Sequence, residues 1–265
     1  MSTRYLTPAE IETPVPAPGA LRRWLTELTS TEAIDDLDRP FAQPPVARTT
    51  IVLRTDQAGR RAALVVGAQT KAVYSRPEEP ADCVRLRLAP GVTRRLLGVA
   101  AVELTDRAVR LAELPGPLAT FAGDLTHLPD DEALAYLEDV LPQRVSETDT
   151  DRAHRTVLRE AISVLTADNA PAIPALATRL AVSERQLRNL FTTGIGVSPK
   201  HFVRIDRVRR VLAYAGNTPW SDLAADTGYY DQSHLTADFR SLMGVAPAAW
   251  LRGQLPAPRR CRMPH

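Results

Sequence analysis

Residues 176–199 read LATRLAVSERQLRNLFTTGIGVSP and residues 223–247 read LAADTGYYDQSHLTADFRSLMGVAP. Laid over one another, the two stretches form a weak internal repeat, the first feature to look for before any local assignment. Leu176-Ala177 corresponds to Leu223-Ala224 at an offset of 47 residues, whereas Leu187, Phe191, Gly196, Val197 and Pro199 correspond to Leu235, Phe239, Gly244, Val245 and Pro247 at 48. The second copy therefore holds one extra residue in its turn. Each copy predicts a short helix, a tight turn and a second helix, with apolar residues where the helices would bury one another. In the first copy Leu176, Ala177 and Leu180 lie on helix one, Val182 closes the turn, and Leu187, Leu190 and Phe191 line helix two. Ser183 and Gln186 have the spacing of a capping box. In the second copy Thr218 is placed to cap a helix whose first position is Pro219, Leu223 and Ala224 face inward, and Gly228 supplies the turn.

Between the copies, Pro199 starts a helix on which Phe202, Ile205, Val208 and Leu212 make an apolar stripe, with Arg204, Arg207, Arg209 and Arg210 on its other faces. A helix of about 15 residues spans about 22 Å. Such a connector suits two helices held for successive major grooves, about 34 Å apart on straight DNA. Two unequal units would read a non-palindromic site. The charge distribution agrees: residues 1–150 hold 17 Lys and Arg against 22 Asp and Glu, whereas residues 151–265 hold 16 against 9. Positive charge thus collects in the half that carries the repeat, where it would displace counterions from phosphates.

These residues resemble the AraC/XylS family of bacterial transcription regulators. The family's second unit typically reads G-[FY]-x-[DS]-x-[SQ]-x-F-x-R-x-F-[KR]-x-x-x-G-x-x-P. Here the chain has Gly228-Tyr229-Tyr230-Asp231-Gln232-Ser233-His234-Leu235-Thr236-Ala237-Asp238-Phe239-Arg240, then Gly244 and Pro247. The first unit agrees through Ser183, Arg185, Leu187, Phe191, Gly196, Ser198 and Pro199, and the likeness covers roughly residues 155–252. It implies a double-stranded DNA operator and RNA polymerase as partners, a possible homodimer, a cytoplasmic and nucleoid-associated protein, and no enzyme activity. Helix pairs of this kind also recur in all-α domains that bind nothing. Two copies in register, each closed by G-x-x-P and lying in the basic half, favour DNA.

With Leu187, Leu190 and Phe191 buried, the side chains left for the groove are Ser183, Glu184, Arg185, Arg188 and Asn189. Arg pairs with guanine O6 and N7, Asn with adenine N6 and N7, and Glu accepts from cytosine N4. By resemblance, the base-reading positions fall on Arg185, Arg188 and Asn189, although an Arg there equally suits a phosphate. Lys200 joins this set. The second unit offers Gln232, Ser233, His234 and Thr236, with Arg240 for phosphate. Ala237 stands where the family often has Arg, and Asp238 adds a charge that phosphates would repel. Unit two is therefore expected to contribute less affinity than unit one. Tyr229, Trp220 and Trp250 are expected to pack between helices rather than to stack on bases.

The fold class predicted is α+β: a small β-rich domain at 1–115, a helical linker at 116–148, an all-α domain of two helix-turn-helix units joined by a linker helix at 149–252, and a flexible basic tail at 253–265. Residues 1–45, with Pro14, Pro16, Pro18, Pro40, Pro44 and Pro45, read as an irregular lead-in around one short helix near Leu21–Leu28. Strands are predicted at Thr49–Leu53, Ala62–Val66, Lys71–Tyr74 and Cys83–Leu88. A short helix follows at Val92–Leu97, then a break at Leu114-Pro115-Gly116-Pro117. Two amphipathic stripes come next: Ala133, Leu134, Leu137, Val140 and Leu141, then Ala153, Val157, Leu158, Ala161, Ile162 and Leu165. The polar run Ser146–Asp151 between them reads as the domain boundary.

The family resemblance implies a sensor or oligomerisation domain at the N-terminus, often a cupin-like β-barrel, with a small-molecule effector or partner. No His precedes His127, which excludes the His-rich metal site of catalytic cupins. No Gly-rich phosphate loop and no Ser/His/Asp set call for a cofactor or a catalytic role. Val65-Val66-Gly67-Ala68-Gln69-Thr70, Arg85-Leu86-Arg87-Leu88-Ala89-Pro90-Gly91 and Leu97-Gly98-Val99 resemble a poorly characterised domain attached to such regulators, which names no ligand. Cys83 and Cys261 lack partners at any metal-ligand spacing and read as reduced thiols, with Cys83 a buried core residue rather than a redox sensor. The start, Met1-Ser2-Thr3-Arg4, runs into Pro-rich sequence, and no stretch reaches the roughly 18 apolar residues of a membrane span. Two other readings stay open: a DNA-repair fusion of the alkyltransferase kind, coupling such a module to a reactive Cys, and a protein-interaction adaptor whose helix pairs no longer bind DNA.

Overall fold

Val84, Leu86 and Leu88 alternate with Cys83, Arg85 and Arg87 along a strand, and that alternation organises the N-terminal half. In the computed structural model, which describes residues 5–34, 36–167, 169–215 and 218–260, the strands are β1 (Thr13–Pro14), β2 (Leu25–Thr31), β3 (Phe41–Gln43), β4 (Thr50–Asp56), β5 (Arg61–Val66), β6 (Val73–Arg76), β7 (Ala81–Leu88), β8 (Ala108–Arg110) and β9 (Arg259–Arg260). Met1–Arg4 and Cys261 lie outside the described residues. One sheet runs β1-β2-β7-β4-β5-β8, antiparallel throughout. Ile51 sits opposite Leu86 and Val65, and Leu53 opposite Val84, so one face is a continuous apolar layer. This sheet has two edges, β1 and β8, and β3, β6 and β9 form a second sheet of three strands.

Three readings of the first half need correction. The stretch Leu21–Leu28 is a 3-10 turn over Gly19–Arg23 followed by strand β2, not one helix. Leu21, Leu25 and Leu28 have helical spacing, but a register shift between Leu25 and Glu27 lets Leu25 and Leu28 both face the core from a strand. Residues 1–45 accordingly supply α1 (Pro8–Ile11), β1, β2 and β3, two of them in the main sheet. Cys83 is only half-buried, because it shares the face of Arg85 and Arg87 rather than that of Val84.

The apolar face is covered by α2 (Thr93–Leu97), α3 (Ala122–His127) and α4 (Asp130–Arg144). Leu118, Phe121, Leu125, Ala133, Leu137, Leu141 and Val145 join Leu21, Trp24, Leu53 and Leu86 in one cluster. The segment 116–148, expected as a linker, is therefore part of the β domain's core.

The described elements from Asp149 to Leu251 are all helices: α5 (Asp149–Leu165), α6 (Ile173–Arg179), α7 (Glu184–Gly194), α8 (Pro199–Tyr214), α9 (Trp220–Asp226), α10 (Gln232–Met243) and α11 (Pro247–Leu251). Thr148 caps α5 reciprocally with Asp151. Two cores form. Leu158, Ala161, Leu165, Leu176, Leu187, Phe191 and Phe202 make the first, and Ile205, Val208, Val211, Leu223, Leu235, Phe239 and Leu242 the second. The stripe on α8 is thus divided, Phe202 serving unit one and the later residues unit two. Each buried Leu or Phe contributes about 1.5–3 kcal/mol. The expected tail runs back along the β domain: Arg259-Arg260 pairs in parallel with Ser75-Arg76, and the Tyr5 hydroxyl donates to Pro256 O at 2.7 Å. Among the described residues no helix is long and apolar enough to cross a membrane.

Candidate nucleic-acid interface

Backbone hydrogen bonds align the two helix-turn-helix units residue by residue. In unit one, α6–α7, Ala181 N donates to Thr178 O and Val182 N to Ala177 O; in unit two, α9–α10, Gly228 N donates to Ala225 O and Tyr229 N to Ala224 O. The left-handed turn position falls on Gly228 (φ 75°) in one unit and Ala181 (φ 52°) in the other. Gly takes this conformation freely, and a residue with a Cβ does so at a cost.

The second helices begin alike. Ser183 Oγ accepts from Gln186 N at 3.1 Å, and Asp231 Oδ1 accepts from His234 N at 2.7 Å. Ser183 thus caps α7 as expected, although only that half of the capping box is formed. Thr218 does not cap α9, whose N-cap is Pro219 with no side-chain bond.

Glu184, Arg185, Arg188 and Asn189 are all exposed on α7 beside exposed Ser183, while Leu187, Leu190 and Phe191 are buried on its other side. Lys200 is exposed at the second position of α8. On α10, Gln232, Ser233, His234 and Arg240 are exposed and Thr236 half-exposed, above buried Leu235, Phe239, Leu242 and Met243. The sequence-predicted residues of both units are therefore exposed or half-exposed, with Lys200 on α8 rather than on α7, and His234 is steadied edge-on against the Tyr229 ring at 5.2 Å. Tyr229 is buried, Arg207 lies 5.6 Å over its ring, and burial pushes its phenol above its ordinary value. Trp220 and Trp250 each meet Phe239 edge-to-face, at 6.3 and 6.4 Å, so all three aromatics pack between helices as expected.

Charge on the linker helix is largely committed to the fold. Arg204 Nε donates to Asp238 Oδ1 at 2.9 Å and its terminal nitrogen to Ser241 Oγ at 3.2 Å, tying α8 to α10. Arg210 pairs with Asp206 at 3.1 Å, and Arg209 donates to Pro45 O at 3.3 Å. Asp238, whose sequence position suggested a bare repulsive charge, is thus neutralised by a partner. Sequence reasoning missed this pair because its members lie 34 residues apart on different helices.

The β domain grips the C-terminal ends of α7 and α10, in each case at one repeat-equivalent residue, Gly194 and Leu242, and at one residue just beyond it. Gly91 N donates to Gly194 O (3.1 Å) and Thr105 Oγ1 to Gly196 O (2.8 Å) at the C-terminal end of α7. Ala72 N donates to Leu242 O (2.8 Å) and Tyr74 Oη to Met243 O (2.6 Å) at the C-terminal end of α10. Burial raises the Tyr74 phenol well above its usual value, which keeps it a donor. At Gly194 the domains meet so closely that a Cβ would lie 2.8 Å from Leu158 Cδ2 and 3.1 Å from Gly91 Cα. Half-buried Glu147 and Arg155 pair beside Trp24, whose ring Arg155 faces at 5.8 Å. Burial pulls His201 below its ordinary value where α8 meets Thr70. Asp151 pairs with Arg95; burial would raise its carboxyl, but bonds from Thr148 and Arg95 outweigh that and hold it down at about 2. Its folded value lies below the ordinary 3.8, so the tie is fully present above that pH and lost as pH falls towards 2. Among the described residues no group of three or more His, Cys, Asp or Glu could hold a metal ion.

A sequence model of the helix-turn-helix domain family matches residues 176–253, which span both units from Leu176 on. No curated protein sequence matches the chain. Among solved structures, it is similar to the C-terminal domain of AraT, a response regulator from Geobacillus stearothermophilus (19% identity, 42% of this chain and 92% of that one, TM-score 0.35). It is also similar to an AraC-type transcriptional regulator from Chromobacterium violaceum (21%, 39% and 97%, TM-score 0.35). Over a longer stretch it is similar to ToxT from Vibrio cholerae O395 (13%, 88% and 98%, TM-score 0.39).

Proposed function

We propose that this chain is a sequence-specific regulator of transcription that binds double-stranded DNA by laying the N-terminal halves of α7 and α10 into successive major grooves. The observation that carries the reading is the polarity of the two units. The β domain holds the C-terminal ends of α7 and α10, through Gly194, Gly196, Leu242 and Met243, and leaves Arg185, Arg188, Asn189, Gln232, Ser233 and His234 exposed. Arg185, Arg188 and Asn189 read base edges; Ser183, Glu184 and Lys200 support them; Gln232, Ser233, His234 and Thr236 read the second groove, with Arg240 on phosphate. RNA polymerase is the protein partner that this role calls for, and the β domain is where an effector or a second copy of the chain would act.

Selection of bound duplexes from a random library, followed by titration in rising salt, tests this. The expected result is one enriched asymmetric site whose affinity falls steeply with salt, about 0.9 log units per log unit for each phosphate contacted. Failure to enrich any duplex, with capture of a protein instead, would favour the interaction-adaptor reading.

A further inference from the structure

The turn of unit two contains one residue more than that of unit one, and the hydrogen bonds identify it. Up to Tyr229 the units correspond at an offset of 47: Leu180, Ala181 and Val182 bond back to Leu176, Thr178 and Ala177 as Thr227, Gly228 and Tyr229 do to Leu223, Ala225 and Ala224. From the N-cap onward the offset is 48: Leu187 N bonds to Ser183 O as Leu235 N does to Asp231 O. The residue between the two registers is Tyr230. Its neighbours are both committed, Tyr229 to the core and Asp231 to the cap of α10, whereas Tyr230 is 94% exposed, the most of any large apolar side chain described.

We propose that Tyr230 is a DNA contact of unit two, its hydroxyl donating to a backbone phosphate oxygen and its ring lying against the adjoining sugar. The proposal rests on the DNA-binding reading above. An aromatic ring left in water at the mouth of a helix face already assigned to DNA has an apolar body and a polar tip, the form suited to a sugar–phosphate edge. Unit two also needs such a contact more than unit one does. Its exposed face offers Gln232, Ser233 and His234 with Arg240 as the cation, whereas unit one offers Arg185, Arg188 and nearby Lys200. A neutral donor to phosphate adds affinity without base preference and without releasing a counterion.

The test uses the full chain, its Y230F and Y230A variants, and a duplex recovered by selection from a random library. Y230F is expected to bind about fivefold more weakly and Y230A about tenfold, with unchanged salt slope, unchanged base preference and, given the exposure, unchanged Tm. Ethylation of single phosphates should reveal one position, bordering the unit-two half of the site, where modification weakens the wild-type chain but not Y230F. Equal affinity of wild type and both variants overturns the proposal, as does a loss confined to one base pair, which would make Tyr230 a base reader. If the wild-type chain selects no duplex at all, the DNA-binding reading itself fails, a result distinct from either.

Discussion

Units one and two share a skeleton and differ in surface. Their turns are closed by equivalent hydrogen bonds, their second helices are both capped by an oxygen side chain, and both end at a glycine with positive φ, Gly196 and Gly244. On that common frame unit one presents arginine and asparagine, while unit two presents glutamine, serine, histidine and an extra tyrosine. The backbone of a helix-turn-helix is set by a few buried positions, so the exposed face is free to diverge. On the proposed DNA-binding role, both copies read a groove, with unit one expected to supply more of the affinity.

Six substitutions, in four groups, would break or sharpen that comparison. The largest effect is expected at Gly194, where the β domain presses on unit one: G194V should cost about 3 kcal/mol through overpacking, seen as a lower Tm. The leucine at the equivalent place in unit two, Leu242, already accommodates a side chain; a G194V protein as stable as wild type would mean the close approach is not part of the fold. Next, R188A should weaken operator binding by about 2 kcal/mol, roughly thirtyfold, and Q232A by less than 1 kcal/mol. A larger loss from Q232A would reverse the ranking of the units. Third, D238A should lower stability by about 1 kcal/mol by releasing Arg204, with DNA affinity within about twofold; markedly tighter binding would show that Asp238 acts by repelling phosphate after all. The smallest effects belong to the turns. G228A should cost about 1 kcal/mol and A181G should gain at most about 0.5, since relief of the left-handed strain is offset by glycine's greater freedom when unfolded. Chemical denaturation of both variants measures the difference.

Much of this architecture was legible in the sequence because the signals were local. The repeat exposed both helix pairs, and the alternation of Val84, Leu86 and Leu88 exposed the central strand. Strand β2 was not legible, because its bulge gives Leu25 and Leu28 the spacing of a helix. The membership of α4 in the β domain was hidden for another reason: an amphipathic stripe shows that a helix has a buried face but not what covers it. The same limit applied to the site. Burial periodicity predicted which side chains α7 and α10 leave exposed, yet the Arg204–Asp238 pair, the grip of the β domain on both of these helices, and the identity of Tyr230 as the inserted residue all depend on long-range contacts or backbone register.

The central claim is that both units engage one duplex together through the exposed ends of α7 and α10. Hydroxyl-radical footprinting of the full chain on its selected site tests it most directly. Two protected tracts on one face of the duplex, about one helical turn apart, with the stronger protection under unit one, are the predicted result. A single tract, or protection that follows no helical period, would contradict it.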